Sequence, residues 1–172
     1  MNRWYRIVSL VLIVAIVGAF VLPVAAAPAA QIAGIPITGT FTDALGGTGT
    51  FVGTFDIQRF VRQGGALAVV GTLTGTLTDS LGNIVGTVTQ NITLPVAATG
   101  TCDILHLVLG PLDLNLLGLQ VHLNQVVLDI TAQQGPGNLL GNLLCAVAGL
   151  LDSGGPLQGL VNLLNQIVRI LG

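Results

Sequence analysis

From Phe51 to Ile130 most of the chain alternates, an apolar side chain at every second position with threonine or another polar residue between. A period of two suits an extended strand, whose successive side chains point to opposite faces. It suits no helix, where residues two apart lie about 200° apart. Phe51, Phe55 and Ile57 alternate with Val52, Thr54 and Asp56; Leu67, Val69, Leu73 and Leu77 alternate with Ala68, Val70, Thr72, Thr74, Thr76 and Thr78. Ile84, Val88 and Ile92 continue the pattern with Thr87, Thr89 and Asn91 between them. Clusters at Asp43 to Gly47, Gln63-Gly64-Gly65 and Asp79 to Asn83 read as turns. The implied arrangement is an antiparallel meander with Thr outward and Phe, Leu and Val inward. Gly53, Gly71, Gly75 and Gly86 fall on inward positions. Glycine weakens a strand unless something approaches closely, so these positions predict a helix lying against a curved sheet.

A leucine repeat follows. Leu105-x-Leu107-x-Leu109, Leu112-x-Leu114-x-Leu116, Leu119-x-Val121-x-Leu123 and Val126-x-Leu128-x-Ile130 recur every seven residues. The spacing within each block is again two, so this is no coiled-coil heptad but four short strands. Their joints, Gly110-Pro111, Leu117-Gly118 and Asn124-Gln125, predict a mixture of tight hairpins and bulges. Gly135-Pro136-Gly137 ends the strands, and Asn138 has the chemistry of an N-cap. Leu139 to Leu151 is apolar nearly all round and predicts a buried helix. Pro156 then opens a second helix at its first position. Its stripe of Leu157, Leu160, Val161, Leu164, Val168 and Leu171 lies opposite Gln158, Asn162, Asn165 and Arg169.

The N-terminus carries Arg3 and Arg6, an apolar run from Ile7 to Leu22, Pro23 and then small residues to Ala27. That order is the pattern of a secretory signal peptide; an uncleaved anchor is the alternative, since the run nearly spans a bilayer. Either way the rest of the chain is expected outside the cytoplasm, secreted or in the cell envelope. The only two cysteines, Cys102 and Cys145, are far apart and outside any CxxC pair, which in an exported chain predicts one disulfide.

The stretch LGPLDLNLLGLQVHLNQVVLDITAQQGPGNLLGNLLCAVAGLLD, ending at Asp152, resembles a group of uncharacterised exported bacterial proteins. The upstream GTLTGTLTDSLGNIVGTVTQ run is similar to the Thr/Gly-rich half of the same group. The resemblance implies export and brings no mechanism.

Chemistry is narrowed by elimination. Beyond residue 27 the chain has no Trp, Tyr, Lys or Glu, and its only serines, Ser80 and Ser153, sit in no nucleophile elbow. No P-loop or dinucleotide fingerprint occurs. Arg59, Arg62 and Arg169 stand against seven aspartates, a net charge of −4, so the basic footprint of a nucleic-acid binder is missing. Phe41, Phe51, Phe55 and Phe60 suit a core better than a sugar-binding platform. One polar constellation remains, a candidate polar or metal cluster of His106, Asp113, His122 and Asp129 on the non-leucine face. With two-residue hairpins at the joints, Asp113 would face His122 and Gln120 would face Asp129. The row Thr72-x-Thr74-x-Thr76-x-Thr78 offers hydroxyls and methyls in the manner of a lattice-binding surface, or simply an exposed strand's β-propensity.

The expected fold class is α+β: a curved antiparallel sheet of about six to eight strands in meander order, with two C-terminal apolar helices on its concave face. Residues 1–27 form the targeting segment and 28–172 one exported domain, with strands to about 131 and helices near 138–151 and 156–171. The expected function is a non-catalytic extracytoplasmic module binding an apolar small molecule or lipid. The alternative is a structural or adhesive envelope protein without such a ligand. A lipid-sized pocket would favour the first, a solid core with an exposed apolar patch the second. No enzymatic activity, cofactor or resident metal is expected, and membrane contact only through a retained N-terminal segment.

Overall fold

The computed structural model describes residues 30–172. The targeting segment, and with it the choice between cleavage and anchoring, lies outside them. The described elements are β1 (Ile32–Thr42), β2 (Thr48–Gln63), β3 (Ala66–Thr78), β4 (Ile84–Gly100), β5 (Ile104–Leu109), β6 (Leu112–Leu116), β7 (Leu119–Leu123) and β8 (Val126–Thr131), then helices α1 (Leu139–Asp152) and α2 (Leu157–Leu171). The fold is α+β: an eight-stranded antiparallel sheet with the two helices packed against it. Among the described residues no helix is long and apolar enough to cross a membrane.

The sheet order is β6-β7-β1-β2-β3-β4-β5-β8. Strands β1 to β5 run as the expected meander, but β6 and β7 depart from it and join the far edge beside β1. The reason lies in the leucine repeat. Leu109 pairs with Val126 and Leu112 with Leu123, so the β5–β8 and β6–β7 ladders keep one register and form two halves of a single long hairpin. Its base lies along β4 and its tip along β1. The joints at 110–111 and 124–125 interrupt both arms at the same level, while Gly110 N–H still bonds the Pro95 carbonyl and Asn124 N–H the Thr38 carbonyl. Only Leu117-Gly118 is a true hairpin turn. The seven-residue period is therefore a five-residue block plus a two-residue joint. Each joint switches the inward set between odd and even numbers: Leu105, Leu107 and Leu109 are buried before the first, Leu116 after it.

The inward faces and the helices share one core that includes Phe51, Phe55, Leu73, Leu107, Leu144 and Leu164. Residues 30–172 hold the eight described strands, the two described helices and the disulfide around one hydrophobic cluster, so this stretch carries its own core. The inward glycines are filled differently from expectation. A Cβ on Gly75 would sit 2.5 Å from Cζ of Phe51, and one on Gly71 2.6 Å from Cζ of Phe55. A Cβ on Gly86 would meet the Leu117 side chain 2.5 Å away. The glycines make room for the backbone of neighbouring strands, for aromatic rings and for a turn leucine, not for a helix.

Helix α1 packs on β4 and β5, helix α2 on β2 and β3, and the two touch each other. Cys102, just after β4, is bonded to Cys145 in α1, which ties that helix to the start of the leucine strands. Asn138 is the N-cap residue of α1, as expected, but makes no side-chain capping bond; Asn142 reaches back instead, its Nδ2 donating to the Gly135 carbonyl at 3.1 Å. Other helical expectations need correction. Helix α1 is not buried all round, since Asn142, Ala146 and Gly149 form an exposed strip. In α2, Pro156 is the N-cap residue rather than the first helical one, Ile167 is buried and Leu171 is exposed.

Candidate functional site

Three turns meet at one end of the sheet, and two of them are the same turn built twice. In Asp43-Ala44-Leu45-Gly46-Gly47 the Asp43 N–H donates to the Gly47 carbonyl at 2.9 Å and Gly46 N–H to the Asp43 carbonyl at 3.1 Å. Asp43 Oδ1 accepts the amides of Leu45 at 2.9 Å and Gly47 at 2.8 Å. Asp79-Ser80-Leu81-Gly82-Asn83 repeats these bonds, with Asp79 Oδ1 accepting Leu81 N–H at 2.9 Å and Asn83 N–H at 2.8 Å. Glycine at the fourth position is required in both, because φ is +80° at Gly46 and +87° at Gly82. The turns are also joined: the Ser80 N–H donates to Asp43 Oδ2 at 3.0 Å.

These bonds set the charges of the end. The Ser80 hydroxyl, then its amide, then the turn amides hold the Asp43 carboxyl down at about 2. The Asn83 side chain and the turn amides lower Asp79 as well, against the nearby Asp43 charge. Asp79 is thus engaged within its own turn, and Asp43 by both turns.

What the twin turns present outward is leucine. Leu45 is 75% exposed and Leu81 70%. The third turn, between β6 and β7, presents Leu117, 63% exposed and lying against Gly86 of β4, the strand whose start exposes Ile84 and Val85. Leu117 has φ +54°, a conformation that two-residue hairpins usually give to Asn, Asp or Gly. At this end lies a cavity of about 140 Å³ lined by Phe41, Asp43, Ala44, Leu45, Asp79, Val85 and Leu119. It brings β1, β4 and β7 to one place, as the shared hairpin requires. The signal for this end was present in the sequence as Asp-x-Leu-Gly at 43–46 and again at 79–82, a repeat that alternation concealed.

The candidate polar cluster resolves into two separate pairs. His122 Nδ1 lies 2.7 Å from Asp113 Oδ1, as the hairpin at Leu117-Gly118 predicts. His106 Nδ1 lies 2.5 Å from Asp129 Oδ1. Gln120 does not face Asp129; it pairs with Asn115, because the register places Asp129 opposite His106. The pairs sit on different halves of the long hairpin, and among the described residues no three His, Cys, Asp or Glu side chains gather as a metal-ligand set. The arrangement is two exposed cross-strand clasps, one on each half.

The threonine row on β3 belongs to a wider field: Thr40, Thr50 and Thr78 are in register, as are Thr54, Thr74 and Thr89. Thr72 Oγ1 donates to Asn91 Oδ1 at 2.8 Å and accepts from Gln58 Nε2 at 2.9 Å. This is the β-branched solvent face that strand propensity favours. A larger groove of about 780 Å³ runs along Asp103, Ile104 and Thr131 to Gln134, but it is open to solvent and mostly polar. No family model, curated protein or solved structure matches the chain.

Proposed function

We propose that the chain is a non-catalytic extracytoplasmic module that engages an apolar partner through the end where its three turns meet. One observation carries the reading: the three turns at this end expose Leu45, Leu81 and Leu117, with Ile84 and Val85 exposed at the start of β4, and Leu45 and Val85 line a small, largely apolar cavity there. Turn tips ordinarily carry Gly, Asn, Asp, Ser or Pro, because those residues suit the backbone and leave water undisturbed. A contiguous apolar surface on such tips marks an interaction site.

The cavity size selects between the two forms of the idea. Small-molecule sites occupy ~300–1,000 Å³, and the space here is about 140 Å³. A cavity near ~150 Å³ takes a benzene-sized group. It suits the end of an acyl chain or one apolar side chain, not a whole lipid. The packed core and exposed patch therefore favour the adhesive reading over an enclosed ligand. Export rests on the signal-like N-terminus and agrees with the Cys102–Cys145 bond.

Titration of residues 28–172 with the neutral dye Nile red tests the site. Saturable fluorescence that falls in Leu81→Asp and Val85→Asp is expected. Equal fluorescence in those variants and the parent would place apolar binding elsewhere and remove the proposal.

A further inference from the structure

We infer that the partner is the surface of an electrically neutral lipid bilayer, into which Leu45, Leu81 and Leu117 insert. The inference rests on the reading above and names the occupant of the same surface. It departs from the expectation that membrane contact would come only through the N-terminal segment.

Three observations point this way. First, the leucines stand at the apices of three separate turns. A rigid partner would need a matching pit for each tip, whereas the headgroup and acyl boundary yields around protruding side chains. Second, many of the amides behind the tips are already satisfied. The amides of Leu45, Gly47, Leu81 and Asn83 are bonded to the carboxylates of their own turns, and Gly118 N–H to Asn115 Oδ1 at 3.0 Å. An amide entering a lipid interface without a partner opposes insertion, so this internal bonding removes a main obstacle. Bulky Leu117 at positive φ fits the same purpose: an unfavourable backbone choice retained where it projects an apolar group.

Third, the charges fit a neutral surface and not an anionic one. At this end Asp43 and Asp79 are carboxylates held in their charged form by the hydrogen bonds of the turns, and their negative charge disfavours an anionic surface. Arg59 and Arg62 lie near the β2–β3 turn at the other end of β2, and Arg169 lies in the last turn of α2. Gly172 packs against Gln31 near the start of β1, which also lies at that far end. No polybasic attraction can assist, so the apolar tips must supply the affinity. Docking in this pose leaves residues 30 and 172 facing away from the bilayer.

Co-sedimentation of residues 28–172 with phosphatidylcholine vesicles, and with vesicles also containing phosphatidylglycerol, tests the inference. Binding to the neutral vesicles is expected, weakened about tenfold by each of Leu45→Asp and Leu81→Asp and not strengthened by phosphatidylglycerol. Both leucines are exposed, and an unchanged far-ultraviolet circular dichroism spectrum verifies that each variant folds. Absent vesicle binding with Nile red binding retained would overturn the bilayer as partner and leave the broader reading standing. Loss of both signals would overturn both. Binding that needs phosphatidylglycerol and ignores the substitutions would also overturn the inference.

Discussion

One methyl group decides the fit between β2 and β3. A Cβ on Gly75 would lie 2.5 Å from Cζ of Phe51 and 2.7 Å from the Val52 carbonyl oxygen. The ring can shift but the backbone oxygen cannot, so Gly75→Ala should cost about 1–3 kcal/mol, measured by urea unfolding. Alternation alone placed Gly75 on the inward face. It could not say whether a helix or a ring fills the space, because both lie at a distance that sequence spacing does not encode. Asp43 carries a second prediction. Its carboxyl is depressed to about 2 in the fold, against ~3.9 when unfolded. Its contribution to stability is therefore complete above the unfolded value and lost as pH falls through about 2. Amide resonances of Leu45 and Ser80 followed through that window should move together with the Asp43 carboxyl. Separate midpoints would show that the Asp43–Ser80 link between the turns is absent.

Elements were more legible than their partners. The strand blocks, the turns and both helices follow from periodicity, and the Leu117-Gly118 hairpin with its Asp113–His122 pair follows from the joint length. What the repeat did not reveal is that its four blocks make one hairpin shared between β4 and β1, since strand pairing across the sheet leaves no trace in local pattern. Asn165 shows the same limit. Its place on the polar side of α2 hides a docking role: Phe60 N–H donates to its Oδ1 at 2.7 Å, and its Nδ2 donates to the Phe60 carbonyl at 2.9 Å. The side-chain amide thus acts as a short length of strand for β2, beyond Ile57, where the register with β1 ends while Phe60 still pairs with Val69 of β3. Asn165→Ala leaves both Phe60 groups without these partners and should cost about 1–3 kcal/mol, read by thermal or urea unfolding. The disulfide acts at this scale too. It spans a separation of 43 residues, so its reduction should lower stability by about 4 kcal/mol on loop entropy. Unfolding with and without reductant measures it, and an unchanged midpoint would show that α1 holds its place without the bond.

The molecule as a whole has two unlike ends. At one, three turns present leucine near a small cavity; at the other, Gly172 meets Gln31, with Arg59, Arg62 and Arg169 nearby. The apolar end was the least legible part of the chain. Leu45, Leu81 and Leu117 each read as one more hydrophobic residue until the fold gathers three turns that lie far apart in sequence. Residues 28–172 contain no Trp, so a single introduced indole reports its own surroundings without background. The most direct measurement places it at Leu81→Trp in one protein and Arg62→Trp in another, and adds phosphatidylcholine vesicles to each. A blue shift of emission is expected for the probe at Leu81 and none for the probe at Arg62. An unmoved spectrum at Leu81, or an equal shift at both positions, would contradict insertion of the leucine end.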